Sequence, residues 1–250
     1  MSARHVATAE VAPKAPWVQL ALVLFGTGAV FAIYRVYQQT TAFTLGLDYF
    51  SEDFQTYWMN LLYAQLPILT LLGAGIVGRL WMTRERNPAA VSPREELRRH
   101  YVVLSQILVF AVVAYLTASI FTEADAAWHQ VTIRDTDFTP THIALFYFGI
   151  PCFIMAGVVA FTYAHTRLPK FMNRVSLPFA IVVAGPIMIM PNLGLNEWGH
   201  TFFYAEELFA APIHWGFVLL GWATFAAGGL VVQLLTRIVE LTRVAGRPEV

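Results

Sequence analysis

The chain has 250 residues, 57% of them apolar and 13% charged, with a formal net charge of zero. A mean hydropathy of +0.56 is membrane composition, which excludes an ordinary soluble domain as the whole of the chain. A single cysteine excludes an internal disulfide and a thiolate metal cluster, and there is no phosphate-cradling Gly loop, haem-attachment motif or nucleophile elbow.

Residues 1–16 contain no apolar h-region and read as a loose cytoplasmic tail. Apolar runs long enough to cross a bilayer follow at about 17–34, 60–82, 101–121, 142–164, 176–193 and 213–236. The first has no small-residue cleavage signature after it, so it reads as a retained anchor. Ser92-x-x-Glu95 is a capping box that opens a short helix running into the third span. Cys152 falls inside the fourth span and reads as a small buried residue. Pro178, Pro186 and Pro191 punctuate the fifth, which a bundle tolerates when neighbours satisfy the freed carbonyls. The expected fold is therefore all-α, a polytopic membrane helix bundle of about six transmembrane helices. Residues 17–240 form its single domain, with cytoplasmic tails at 1–16 and 241–250.

The zero net charge hides a sorting. Arg79, Arg84, Arg86, Arg94, Arg98 and Arg99 lie between spans two and three, Arg167, Lys170 and Arg174 between four and five, and Arg237, Arg243 and Arg247 after six. With six spans these share a side with Arg4 and Lys14, and the acidic residues crowd the other side. The positive-inside rule then places both termini in the cytoplasm. The basic residues read as inner-leaflet anchors, not as a nucleic-acid patch. The outer segments are rich in aromatics, among them Tyr49, Phe50, Phe54, Tyr57, Trp58 and Trp128, which at interface depth form a belt by default.

Two stretches share one grammar. Asp125-x3-His129 is followed by Pro140-x-His142, and Asn196-x3-His200 by Pro212-x-His214. Residues four apart share a helix face, so each front pair is a two-point chelate. A Pro at the first helical position fixes the following His on the opening turn of the next helix. Four of the seven His thus converge on the outer boundary, whereas His5, His100 and His165 read as structural. Two imidazoles and a carboxylate suit iron(II), copper or zinc with positions left open. The set with Asn196 has a neutral oxygen donor and favours a lower charge state such as copper(I). Arg134, Asp135, Asp137 and Thr139 link His129 to His142 and are expected to orient the imidazoles, with Glu197 similarly placed beside Asn196. The spacing alone yields one or two open metal sites, and no reaction. Haem would need facing His pairs at mid-membrane, and a metal transporter would need polar ligands through the membrane depth, which spans one, three and six lack.

Several phrases go further. Gly46-Leu47-Asp48, Phe54-Gln55-Thr56-Tyr57-Trp58, Pro93-Arg94-Glu95-Glu96, Trp128-His129-Gln130, Arg134-Asp135-Thr136-Asp137-Phe138-Thr139-Pro140, Gly194-Leu195-Asn196-Glu197-Trp198-Gly199-His200 and Glu206-Glu207-Leu208-Phe209 occur together. Over roughly Gly46 to Arg243 the chain resembles the C-type subunit of the copper membrane monooxygenases, which oxidise methane, ammonia or short-chain hydrocarbons. The resemblance implies copper at Asp125, His129 and His142, where catalysis is placed, and at Asn196, His200 and His214. It implies partner subunits A and B in a trimer of heterotrimers, quinol as electron donor, and insertion of one atom of O2 into a C–H or N–H bond of a small gaseous substrate. It also implies a bacterial inner or intracytoplasmic membrane, with the metal sites near the periplasmic face. Methane-oxidising members tend to carry Glu three residues after the last His of the first site, where this chain has Leu145. Tyr204-Ala205 replaces their usual Phe-Met, which enlarges the pocket edge. These departures lean towards methane or a short-chain alkane or alkene over ammonia.

Overall fold

The computed structural model describes residues 13–185 and 225–245. Its helices are α1 (Trp17–Thr41), α2 (Glu52–Met82), α3 (Pro93–Phe121), α4 (Thr122–His129), α5 (Pro140–Arg167), α6 (Pro169–Met172), α7 (177–185) and α8 (Phe225–Val244). Five of them, α1, α2, α3, α5 and α8, are long and apolar enough to cross a membrane. The run at 176–193 begins as α7 and then leaves the described residues, as do the first half of the run at 213–236 and most of the N-terminal tail.

The spanning helices outrun the apolar segments that mark them. α2 starts at Glu52, eight residues before its apolar run, and at 31 residues is roughly 46 Å long against a hydrocarbon core of about 30 Å. Its polar start is stabilised by Ser51, whose Oγ accepts the Phe54 N–H at 3.1 Å. At α3 the Ser92 Oγ accepts the Glu95 N–H at 3.3 Å, so the capping box opens one continuous helix. Hydropathy finds the part of a helix that meets lipid, whereas capping decides where the helix ends. The outward faces carry large apolar residues: Phe25 is 80% and Leu71 73% exposed, which places them against lipid or other subunits.

The chain divides into two compact units. One comprises 16–83 and 105–162 and holds α1, α2 and the segments around α4 and the start of α5. Tyr34, Phe121, Phe148 and Phe31 pack there, with the Tyr34 and Phe148 rings stacked at 4.3 Å between centroids. Inside this apolar surround Tyr34 Oη donates to Gln65 Oε1 at 2.9 Å, and Gln65 Nε2 donates to the Ile143 carbonyl at 3.1 Å. A buried amide needs both partners, so this relay fixes α1 and α2 against the start of α5.

Three turns in this unit are π-helical: Gln55–Met59, Thr117–Phe121 and Leu145–Gly149. In the first the Asn60 N–H reaches the Gln55 carbonyl, and in the third Ile150 reaches Leu145, five residues back in each case. The second leads directly into α4. The third lies just after the first turn of α5. The two touch at Gly149, where an added Cβ would sit 2.7 Å from Thr117 Cγ2.

The other unit contains 84–104 and 163–250. Its described part is held by charge. Arg99 donates to Glu95, Glu85 and the Arg167 carbonyl, and Arg237 forks onto both oxygens of Glu96 at 2.8 Å each. His100 is fully buried, with Nδ1 2.8 Å from the Glu96 carbonyl, in keeping with a structural role.

Candidate metal centre

The site is built on two short stretches of helix joined by the loop 130–139. The sequence Thr139-Pro140 opens α5: Thr139 Oγ1 accepts the His142 N–H at 2.8 Å, and Pro140 occupies the first turn, where no donor is lost. The loop is anchored to residues 46–50. Ile133 N donates to the Leu47 carbonyl at 2.8 Å and Tyr49 N to the Arg134 carbonyl at 2.9 Å, and Arg134 Nε donates to Asp48 at 2.8 Å. The Arg134 guanidinium also lies 5.1 Å from the Phe50 ring centroid. Gly46 permits this approach, because a Cβ there would come within 2.6 Å of Pro140 Cγ and 2.9 Å of Trp58 Nε1.

Asp125, His129 and His142 meet at the join, with one ligand atom of each within 4.8 Å of the others. His129 Nε2 stands 3.3 Å and His142 Nε2 3.5 Å from Asp125 Oδ1, and the ring centroids are 5.4 Å apart. Atoms each about 2.0–2.1 Å from a common centre at tetrahedral angles lie roughly 3.3–3.4 Å apart, so the two imidazoles stand at chelating distance from the carboxylate. Nitrogen and oxygen donors without sulfur suit copper, and the three residues fit that ion.

The surroundings set direction and charge. His142 Nδ1 lies 3.1 Å from the Asp137 carbonyl, which turns Nε2 towards Asp125. His129 Nδ1 faces Asp135 Oδ2 at 3.9 Å. The Thr141 hydroxyl donates to Asp125 Oδ1 and lies 3.0 Å from Thr139 Oγ1. Burial opposes a charge on Asp125, but hydrogen bonds from His129, His142 and Thr141 outweigh it and hold the carboxyl well below the usual carboxylate range. Among the described residues its ion partners are the two imidazoles, with no Lys or Arg.

Trp128 closes one side of the site. It is fully buried, donates to the Ala42 carbonyl at 3.1 Å, and shares a core with Phe54, Trp58 and Ile143. Those aromatics are therefore core packing and not belt, whereas Phe50 and Tyr57 stay exposed. Of the loop residues, Arg134 turns to Asp48, and Asp137 contributes its backbone carbonyl. Sequence reasoning misses Thr141, whose one signal is its place between Pro140 and His142. Asn196, Glu197, His200, His214, Tyr204 and Ala205 lie outside the described residues.

A multi-pass helical membrane protein with an Asp-His-His group between two of its helices is the class that fold and site define. Over residues 3–245 the chain matches the family of the C-type subunit of ammonia monooxygenase/methane monooxygenase, and it belongs to that family. It is thus one component of a copper-dependent membrane monooxygenase complex. No curated protein matches the chain.

Proposed function

We propose that this protein holds copper at Asp125, His129 and His142, and that its complex inserts one atom of O2 into a C–H bond of methane or a short-chain alkane or alkene. The observation that carries the reading is the convergence of the three ligand atoms within 4.8 Å, around a carboxylate without a Lys or Arg partner among the described residues. Copper, when bound, supplies the redox chemistry towards O2. The chain supplies the rest. Asp125 contributes a negative charge, the Asp137 carbonyl and Thr141 fix the orientation of His142 and Asp125, and Trp128, Phe146 and Leu145 limit water. Phe146 lies 4.8 Å from the His142 ring, and Leu145 is 8% exposed three residues beyond His142. That apolar wall, where methane-oxidising relatives tend to carry Glu, supports a hydrocarbon substrate.

The family also supports a second copper set at Asn196, His200 and His214, with Glu197 beside it. We place both sets near the periplasmic face of a bacterial inner or intracytoplasmic membrane, with both termini in the cytoplasm. Subunits A and B complete the complex as a trimer of heterotrimers, and quinol supplies the electrons.

The test is the purified complex with His129→Ala or His142→Ala, assayed for assembly, copper content and turnover of methane, ethane, butane and ammonia. The expected result is an assembled complex that loses both copper and hydrocarbon turnover. An assembled, copper-depleted and fully active complex would mean a structural role here, with catalysis in a partner. Turnover of ammonia alone by the unmodified complex would overturn the substrate.

A further inference from the structure

The second unit contains a cavity of about 240 Å³ between the α6–α7 connection and α8. Lys170, Arg174 and Arg237 line it, with Ser176, Gln233 and Thr236. Two carboxylates, Glu96 and Glu240, answer the three cations. Arg237 occupies both oxygens of Glu96 and reaches Glu240 at 3.0 Å, and Lys170 Nζ donates to the same Glu240 at 3.2 Å. Arg174 makes no hydrogen bond or ion pair among the described residues. One positive charge is therefore left over. Ser176 Oγ donates to Gln233 Oε1 at 2.6 Å, which leaves the Gln233 amide N–H groups turned to no acceptor among the described residues.

The rim on the α6–α7 side has the opposite character: Val175, which lines the cavity, and Leu177, on either side of Ser176, are 67% and 68% exposed. The apolar run of α8 ends at 236, where the basic wall begins. The volume lies below the roughly 300–1,000 Å³ of clefts that enclose whole drug-sized ligands, which suits a headgroup whose tails remain outside. A free phosphate would use the charge and ignore the rim, whereas a phospholipid uses both.

We propose that this cavity binds the phosphate headgroup of an anionic phospholipid, with Arg174 and Lys170 on the phosphate and the acyl chains lying along Val175 and Leu177. Basic pockets at span ends are the common form of such sites.

The experiment uses the whole complex, delipidated in mild detergent and reconstituted in nanodiscs of phosphatidylcholine with or without phosphatidylglycerol. Native mass spectrometry then counts retained lipid. The unmodified complex should retain phosphatidylglycerol in preference to phosphatidylcholine, also in the presence of excess inorganic phosphate. Arg174→Ala should lower that retention about five-fold and Lys170→Ala/Arg174→Ala further, since each cation near an anionic lipid changes binding by about that factor. Arg174 has no intramolecular partner among the described residues, so its variant should assemble with copper content unchanged; Arg174→Lys should restore part of the retention. Equal retention by the unmodified complex and the double variant would overturn the proposal. So would equal retention of the two lipids, or complete displacement by inorganic phosphate.

Discussion

Asp125, on α4, and Glu96, near the start of α3, are both withdrawn from water, with side chains 14% and 5% exposed. Their neighbours differ in kind. Glu96 commits both oxygens to the Arg237 fork, a pairing that neutralises the charge within the chain. Asp125 is held by a hydroxyl and two imidazoles, groups that support a negative charge without carrying a permanent positive one. The first arrangement is complete in itself. The second leaves a charge that a bound metal ion would answer, and on the proposed reading that distinguishes a ligand from a strut in a chain with many carboxylates.

Substitution can break the contrast. Asp125→Ala should remove the copper of this site and lower turnover by more than about 100-fold, beyond the 10–100-fold typical of residues that only support a ligand. Copper per complex and O2-dependent turnover measure it, and retained copper would end the distinction. Thr141→Val should weaken metal binding by about 10–100-fold while Thr141→Ser keeps it, as read by competition with a chelator. Glu96→Ala should leave copper unchanged. It should cost about 1–3 kcal/mol of stability, seen as faster thermal inactivation, because Arg237 loses its main partner but still reaches water.

The smallest effect belongs to Asp48. The hydrogen bond from Arg134 is the main cause that holds its carboxyl below the usual range. A depressed folded value means that its contribution is fully present above about pH 4 and is lost as pH falls through that value. Asp48→Asn should therefore lower thermal stability slightly at pH 7, and the gap should close under strong acid. A gap that widens on acidification would assign the loop another anchor.

Much of this was legible in residue order. Apolar runs located five spans among the described residues, and Asp125-x3-His129 with Thr139-Pro140-x-His142 named the three side chains that converge, because helix period and proline geometry are local. What joins the two ligand stretches is not local. Leu47 and Asp48 bond to residues 133 and 134, some 86 positions away, and Gly46 shapes the fit at Pro140, so the contact of Thr141 with Asp125 had no signature of its own. Trp58 and Trp128 read as belt by default, and their full burial makes them core instead. The π-helical turns left no trace, since one extra residue per turn does not change composition.

Those turns make the ligands sensitive to deletion in an unusual way. Removing one residue from Thr117–Phe121 would restore ordinary winding and leave the helix beyond it facing roughly the same way, because the wide turn spends its extra residue within one revolution, whereas removing one from the regular winding before Thr117 would swing everything beyond it by about 100° around the axis. The hydrophobic belt would still dissolve in lipid, but Asp125 and His129 would face away from His142. The spacing of the Asp-His-His group along the chain is thus indexed to a single inserted position, and counting residues along α3 in a relative without that insertion would align the wrong side chains.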